Sequence, residues 1–177
     1  MTKQILIAGF GGQGILFSGK FLAYEGLIEN KEVSWLPSYG PEMRGGTANC
    51  SIIISDSKIG SPIVSDPDIL IAMNLPSLEK YENATVSGGD IFVDSSLIDK
   101  KVTREDVNAY YIPATKMASD LGLNGLANMI MTGYMIRKSG VIPYENVKKA
   151  LEKVVSAKKA NLMEANIKAI EAGYNFN

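Results

Sequence analysis

Three features of the chain point to an α/β fold, a doubly wound, mostly parallel sheet with helices on both faces. Strand-like and helix-like segments alternate through the first half, the short strands are apolar throughout, and the C-terminal third is helical. Strands buried on both faces read as continuous Val/Ile/Leu runs, whereas a sheet with one wet face alternates apolar and polar residues. A length of 177 residues with 46% hydrophobic and 21% charged content fits a single domain over 1–177 with its own core and argues against disorder.

The first strand is the apolar run Ile5-Leu6-Ile7-Ala8, and residues 15–28, with Leu16, Leu22, Ala23, Leu27 and Ile28 among polar neighbours, suit a covering helix. Val33-Ser34-Trp35-Leu36 is a second strand closed by Pro37; two prolines and three glycines across positions 37–46 preclude regular structure for most of the next stretch. Residues 48–54 form a third strand, and Asp56-Ser57-Lys58 reads as a turn returning through Ile59 to Val64, a β-hairpin near residues 48–64. Ile69-Leu70-Ile71-Ala72 is a buried strand, followed by a helix that Asn74 or Ser77 would cap. Ile91-Phe92-Val93 and Tyr110-Tyr111-Ile112 complete the strands.

From Ala114 onward the pattern is helical. Residues 126–138 are apolar on nearly every side and belong in a core or against a partner. Pro143 stands where a first helical residue would, ahead of the stripe Val147, Leu151, Val154. The final helix aligns Ala160, Met163, Ile167, Ile170 and Tyr174, with Glu164 and Lys168 in the favourable i, i+4 order outside.

Gly9, Gly11 and Gly14 lie between the first strand and the first helix in the G-x-G-x-x-G spacing. Glycines permit the tight turn there and let backbone N–H groups at the positive end of the helix approach phosphate oxygens. A dinucleotide site also wants an acid ending the second strand to bind ribose hydroxyls. That strand runs out through Leu36-Pro37-Ser38-Tyr39 without one, which argues against a stand-alone NAD-dependent oxidoreductase. Gln13 adds a side-chain amide that both donates and accepts. The alternative is that the glycines serve only close strand–helix packing.

Arg44 follows the second strand, at the sheet edge that the glycine loop also occupies, and can clamp phosphate or carboxylate bidentately. Ser38 and Thr47 supply hydroxyls on either side, and Gly45 and Gly46 directly follow the arginine. The alternative is an Arg44–Glu42 or Arg44–backbone pair that only stiffens the loop.

Much chemistry is excluded. The chain has no histidine and a single cysteine, Cys50, so it holds no imidazole triad and no self-contained cysteine-ligated zinc or iron–sulfur site. Cys50 lies in mid-strand, as a packing residue would. No carboxylates pair in sequence and no serine or lysine has an activating neighbour, so no catalytic residue and no metal ligand are assigned. A net charge of −1, with late lysines interleaved among glutamates, predicts no nucleic-acid partner. No basic segment leads into an apolar core at the start and no run approaches membrane-spanning length, so the expectation is a cytoplasmic chain with no membrane partner.

The run from Ile5 to Gly14, together with Ser38-Tyr39-Gly40-Pro41-Glu42-Met43-Arg44-Gly45-Gly46-Thr47-Ala48, Ile59-Gly60-Ser61-Pro62 and Glu171-Ala172-Gly173-Tyr174, closely resembles the gamma subunit of 2-oxoacid:ferredoxin oxidoreductases. The resemblance covers essentially the whole chain, and its specific part is Gly40 to Gly46. Enzymes acting on pyruvate, 2-oxoglutarate, ketoisovalerate and indolepyruvate share this module. The resemblance implies a Rossmann-like subunit, inactive alone, of a heteromeric complex with alpha-, beta- and delta-type partners. Such enzymes decarboxylate a 2-oxoacid on thiamine diphosphate with Mg, pass electrons through iron–sulfur clusters to ferredoxin, and release a coenzyme A thioester; partner chains hold those cofactors. It further implies that Gly11, Gly12, Gln13, Gly14, Ser38, Arg44, Gly45, Gly46 and Thr47 receive coenzyme A or shape its interface. The alternative is an assembly subunit whose loops touch only neighbouring chains. The apolar helix at 126–138 adds the expectation of self-association when the chain is isolated.

Overall fold

The computed structural model describes residues 1–39 and 47–177. A six-stranded sheet comprises β1 (Thr2–Phe10), β2 (Glu32–Tyr39), β3 (Thr47–Ser55), β4 (Ile69–Ala72), β5 (Asp90–Asp94) and β6 (Asn108–Ile112), in the order β2-β3-β1-β4-β5-β6. The helices are α1 (Ile15–Ile28), α2 (Leu75–Tyr81), α3 (Ala114–Asp120), α4 (Ala127–Ser139), α5 (Val147–Val154) and α6 (Ala160–Tyr174). This is the expected doubly wound α/β architecture with a helical last third, on a sheet that is mixed. β1, β4, β5 and β6 pair in parallel, whereas β3 is antiparallel to both of its neighbours. Only residues 40–46 join β2 to β3, too short a link for a crossover, so β3 must return antiparallel.

That topology corrects the placement of the hairpin. It forms between β2 and β3, and residues 59–64 are not a strand. The reason is geometric. Ser55 ends β3 beside Thr2, and β4 starts beside Ile5, so the chain leaves and re-enters the sheet at the same edge. One further strand through 59–64 would carry it to the opposite edge. The segment lies instead against the sheet, with Val64 buried and Ile59 packed beside it.

The alternation of strand side chains divides the core in two. Ile5, Ile7, Ile52, Ile54, Ile69, Ile71 and Phe92 face a layer holding α1, α3, α4, α5 and α6. Leu6, Ile53, Leu70, Ala72, Ile91 and Val93 face the other way, towards Leu78 of α2, Val64 and Ile98. Helices thus cover both faces unequally. On the thinner side the irregular segment before β6 is latched by Glu82. Its carboxylate accepts from Thr103 N and Oγ1 and from Arg104 N, while Arg104 donates back to the carbonyls of Glu82 and Thr85.

The apolar helix at 126–138 is α4, and the chain covers it itself. α4 crosses α6 at Gly133 and Gly173, where a Cβ would overlap the carbonyl oxygens of Ile170 and Ile130 respectively. Met129, Ile130, Met131 and Met135 are all fully buried. Its apolarity is therefore satisfied internally, which removes the reason for expecting self-association through it. Pro143 precedes a short 3₁₀ turn (Tyr144–Asn146) and does not start α5 itself. Of the two candidate caps for α2, Asn74 is the one that serves, its side-chain oxygen accepting from Ser77 N at 2.9 Å.

Candidate functional site

After β1 the chain passes through α1 to β2 on one side of β1, whereas after β4 it passes through α2 to β5 on the other side. The strand order therefore reverses between β1 and β4, and open α/β sheets bind ligands at the carboxyl ends of strands beside such a reversal. The glycine loop stands there. Gly12 and Gly14 adopt φ values of 93° and 74°, which L side chains rarely adopt, and the Gln13 N–H closes a turn on Phe10 O at 3.2 Å.

The Gln13 side chain turns inward. Its Oε1 accepts from Phe10 N at 2.7 Å and its Nε2 donates to Met73 O at 2.9 Å, joining the β1 loop to the end of β4. A Cβ on Gly9 would stand 2.5 Å from that Oε1 and 2.9 Å from Met73 Cβ, so the first glycine makes room for the amide. On the far side of the loop, Asn128 Nδ2 donates to Gly14 O at 3.0 Å and to Ser18 Oγ at 3.1 Å. It occupies the space a Cβ on Gly14 would need.

What remains open is the backbone. α1 starts without a side-chain cap and without an acid in its first turn. Among the described residues no acceptor meets the N–H groups of Gly12, Gly14, Ile15 and Leu16. Orphan amides at a helix's positive end attract an anion. Two cavities flank them. One of about 410 Å³ lies between the loop, Met73, Leu97, Thr115 and Asn124. The other, of about 290 Å³, lies towards β3, between Phe10, Leu16, Phe17 and Ala48. Thr115 in the first is held by Asp94 at the end of β5, its hydroxyl donating to Oδ2 at 2.6 Å.

Of the nine residues singled out in the sequence, Gly11, Gly12, Gln13 and Gly14 sit together at this edge. Thr47 joins them, because it pairs with Phe10 across the β1–β3 ladder and is exposed. Ser38, also exposed, is at the same end of the sheet but two strands away, opposite Asn49. Arg44, Gly45 and Gly46 lie outside the described residues. Cys50 is fully buried, and burial pushes its thiol up to about 12 against a smaller lowering by a hydrogen bond from Trp35, so it is protonated at neutral pH.

Sequence reasoning missed the α3 side of the crevice, Thr115, Ser119 and Asn124, which no motif marks. It also missed Asn128, which a clue did mark: it is an amide within a helix otherwise apolar through Ile136 save for Thr132, and it is buried. Among the described residues no group of three His, Cys, Asp or Glu side chains is placed to hold a metal ion, and no helix is long and apolar enough to cross a membrane.

Comparison with known proteins adds a family. The model for pyruvate ferredoxin/flavodoxin oxidoreductase matches residues 4–176. The ketoisovalerate oxidoreductase subunit VorA of Methanothermobacter marburgensis is 37% identical over 171 residues, which cover 96% of this chain and 35% of VorA. The 2-oxoglutarate synthase subunit KorC of Methanocaldococcus jannaschii is 36% identical over 177 residues, covering 98% of this chain and 93% of KorC. The chain thus spans about a third of the first relative and nearly all of the second. The crystal structure of the keto/oxoacid ferredoxin oxidoreductase gamma subunit from Geobacter sulfurreducens has a TM-score of 0.82 at 29% identity, over 97% of this chain and 96% of that one.

Proposed function

Because the chain belongs to the pyruvate ferredoxin/flavodoxin oxidoreductase family and is of the gamma-subunit type, we propose that its glycine-loop crevice receives the phosphates of coenzyme A within an assembled 2-oxoacid:ferredoxin oxidoreductase. One observation carries this reading: uncapped N–H groups at the start of α1, beside the β1/β4 reversal, without an acid in the first turn. Coenzyme A bears a diphosphate, which such amides bind, and an apolar and hydroxyl-bearing body, which the Leu97–Thr115 cavity suits.

In this reading the complex converts a 2-oxoacid to its coenzyme A thioester and CO2 and delivers the electrons to ferredoxin. Thiamine diphosphate, Mg and iron–sulfur clusters belong to alpha-, beta- and delta-type partners. The chain's own work is to bind and orient the thiol substrate. Arg44, Gly45, Gly46, Thr47 and Ser38 are assigned to the same coenzyme A interface, with the Arg44 guanidinium as the phosphate partner.

Isothermal titration of coenzyme A into the reconstituted complex tests the reading. Arg44→Ala should weaken binding about tenfold, the loss expected of one charge-assisted contact; unchanged affinity removes Arg44 from the site. A second reading, an assembly subunit that binds no ligand, is favoured by the inward-turned Gln13 amide, which stiffens the loop whether or not an anion arrives. It predicts no coenzyme A contact with residues 11–16.

A further inference from the structure

We propose that Asn128 is a positioning residue: from α4 it fixes the peptide plane that aims the Ile15 N–H into the anion cradle. The inference rests on the coenzyme A reading above and adds a residue that touches no ligand. Gly14 O accepts two hydrogen bonds, from Ser18 N at 3.1 Å and from Asn128 Nδ2 at 3.0 Å. A trans peptide sets its C=O and N–H on opposite sides. Holding Gly14 O inwards therefore turns the Ile15 N–H, the other end of the same unit, out of the helix.

Gly14 alone would not hold that plane. It is a left-handed glycine with no side-chain cap, so its neighbouring peptides have more freedom than those of any other residue type. Asn128 restrains it from a rigid base. α4 is locked against α6 by the two-glycine crossing, and Asn128 is only 4% exposed. The contact spans 114 residues of sequence, so the cradle's geometry is set by the C-terminal helical layer as well as by the local loop.

A second observation points the same way. Asn128 Oδ1 is buried and meets no donor among the described residues. An unsatisfied buried acceptor costs stability, and an apolar side chain would avoid it. The fold carries an amide there, and the amide's donor end is occupied wholly by Gly14 and Ser18.

The test uses the native complex and two probes, coenzyme A as substrate and inorganic diphosphate as inhibitor. Asn128→Ala removes the donor, and Asn128→Ser, smaller and still polar, serves if the first variant fails to fold. Each should raise the KM for coenzyme A about tenfold, with kcat and the oxoacid KM within about twofold of wild type, and should weaken diphosphate inhibition in parallel. Ser139→Ala, which removes a hydrogen bond to Met135 O at the far end of α4, controls for general destabilisation and should leave the coenzyme A KM unchanged. Unaltered KM and diphosphate inhibition in the Asn128 variants overturn the inference, as does a loss confined to kcat or shared by Ser139→Ala. Diphosphate that fails to compete with coenzyme A in the wild-type complex sinks the coenzyme A reading itself, which separates the two failures.

Discussion

Glu25→Gln offers a quantitative test of how the first helix is seated. Glu25 lies on the buried side of α1 with no exposed surface, and neither carboxylate oxygen meets a donor among the described residues. Burial, reinforced by Glu29 and Glu145, raises its pKa from 4.5 to about 8. Between those values the folded chain holds a proton that the unfolded chain has released. Stability must therefore fall as pH rises through that window and level off above it. At about 1.4 kcal/mol per unit, the full excursion is on the order of 5 kcal/mol, a large fraction of a domain's total stability. Glutamine keeps the shape and cannot ionise. Urea unfolding of both chains at pH 5 and pH 8.5 should show near-equal stability at the lower pH and a glutamine variant several kcal/mol more stable at the higher. Stability differences that are the same at both pH values would refute the claim that a neutral carboxyl is buried there.

Other outcomes follow from the packing. Gly173→Ala should be severely destabilising, on the order of 3 kcal/mol or more, because its new methyl overlaps the Ile130 carbonyl; circular-dichroism melting reads it. Glu82→Ala releases the donors of Thr103 and Arg104 and should lower the melting temperature and hasten proteolysis within residues 95–107; an unchanged digestion pattern would show that the latch is idle. Asp56, held near pKa 2 by hydrogen bonds from Lys31 and the amino terminus, adds stability that is present above about pH 4 and fades as pH falls towards 2; Asp56→Asn should flatten that acid limb. Cys50 should resist iodoacetamide at pH 8 in the native chain and react in urea; rapid native alkylation would contradict its burial.

Legibility in the sequence tracked how local the controlling physics is. Both ends of α1 were readable, because the glycine cluster before Ile15 and the apolar spacing up to Ile28 are local signals. The Asn74 cap was readable for the same reason. The return strand at 59–64 was misread because its composition suits a strand, whereas the edge at which β4 must begin is a property of the whole sheet. The inward turn of Gln13 depends on Met73, sixty residues away, and the role of Asn128 on Gly14, 114 residues away. Neither contact leaves a periodic trace. The lone amide within α4 was the only visible sign.

The cradle itself is most directly tested at Gly12, where an added Cβ meets no described atom within 4 Å and the φ of 93° is one that Asn and Asp tolerate better than other side chains. Coenzyme A titration into complexes carrying Gly12→Asn and Gly12→Asp compares two side chains of equal size that differ by one negative charge. With phosphates bound at the loop, Asp should bind coenzyme A at least about tenfold more weakly than Asn, and the gap should narrow as salt is raised. Equal affinity for the two variants would mean that no anion sits there.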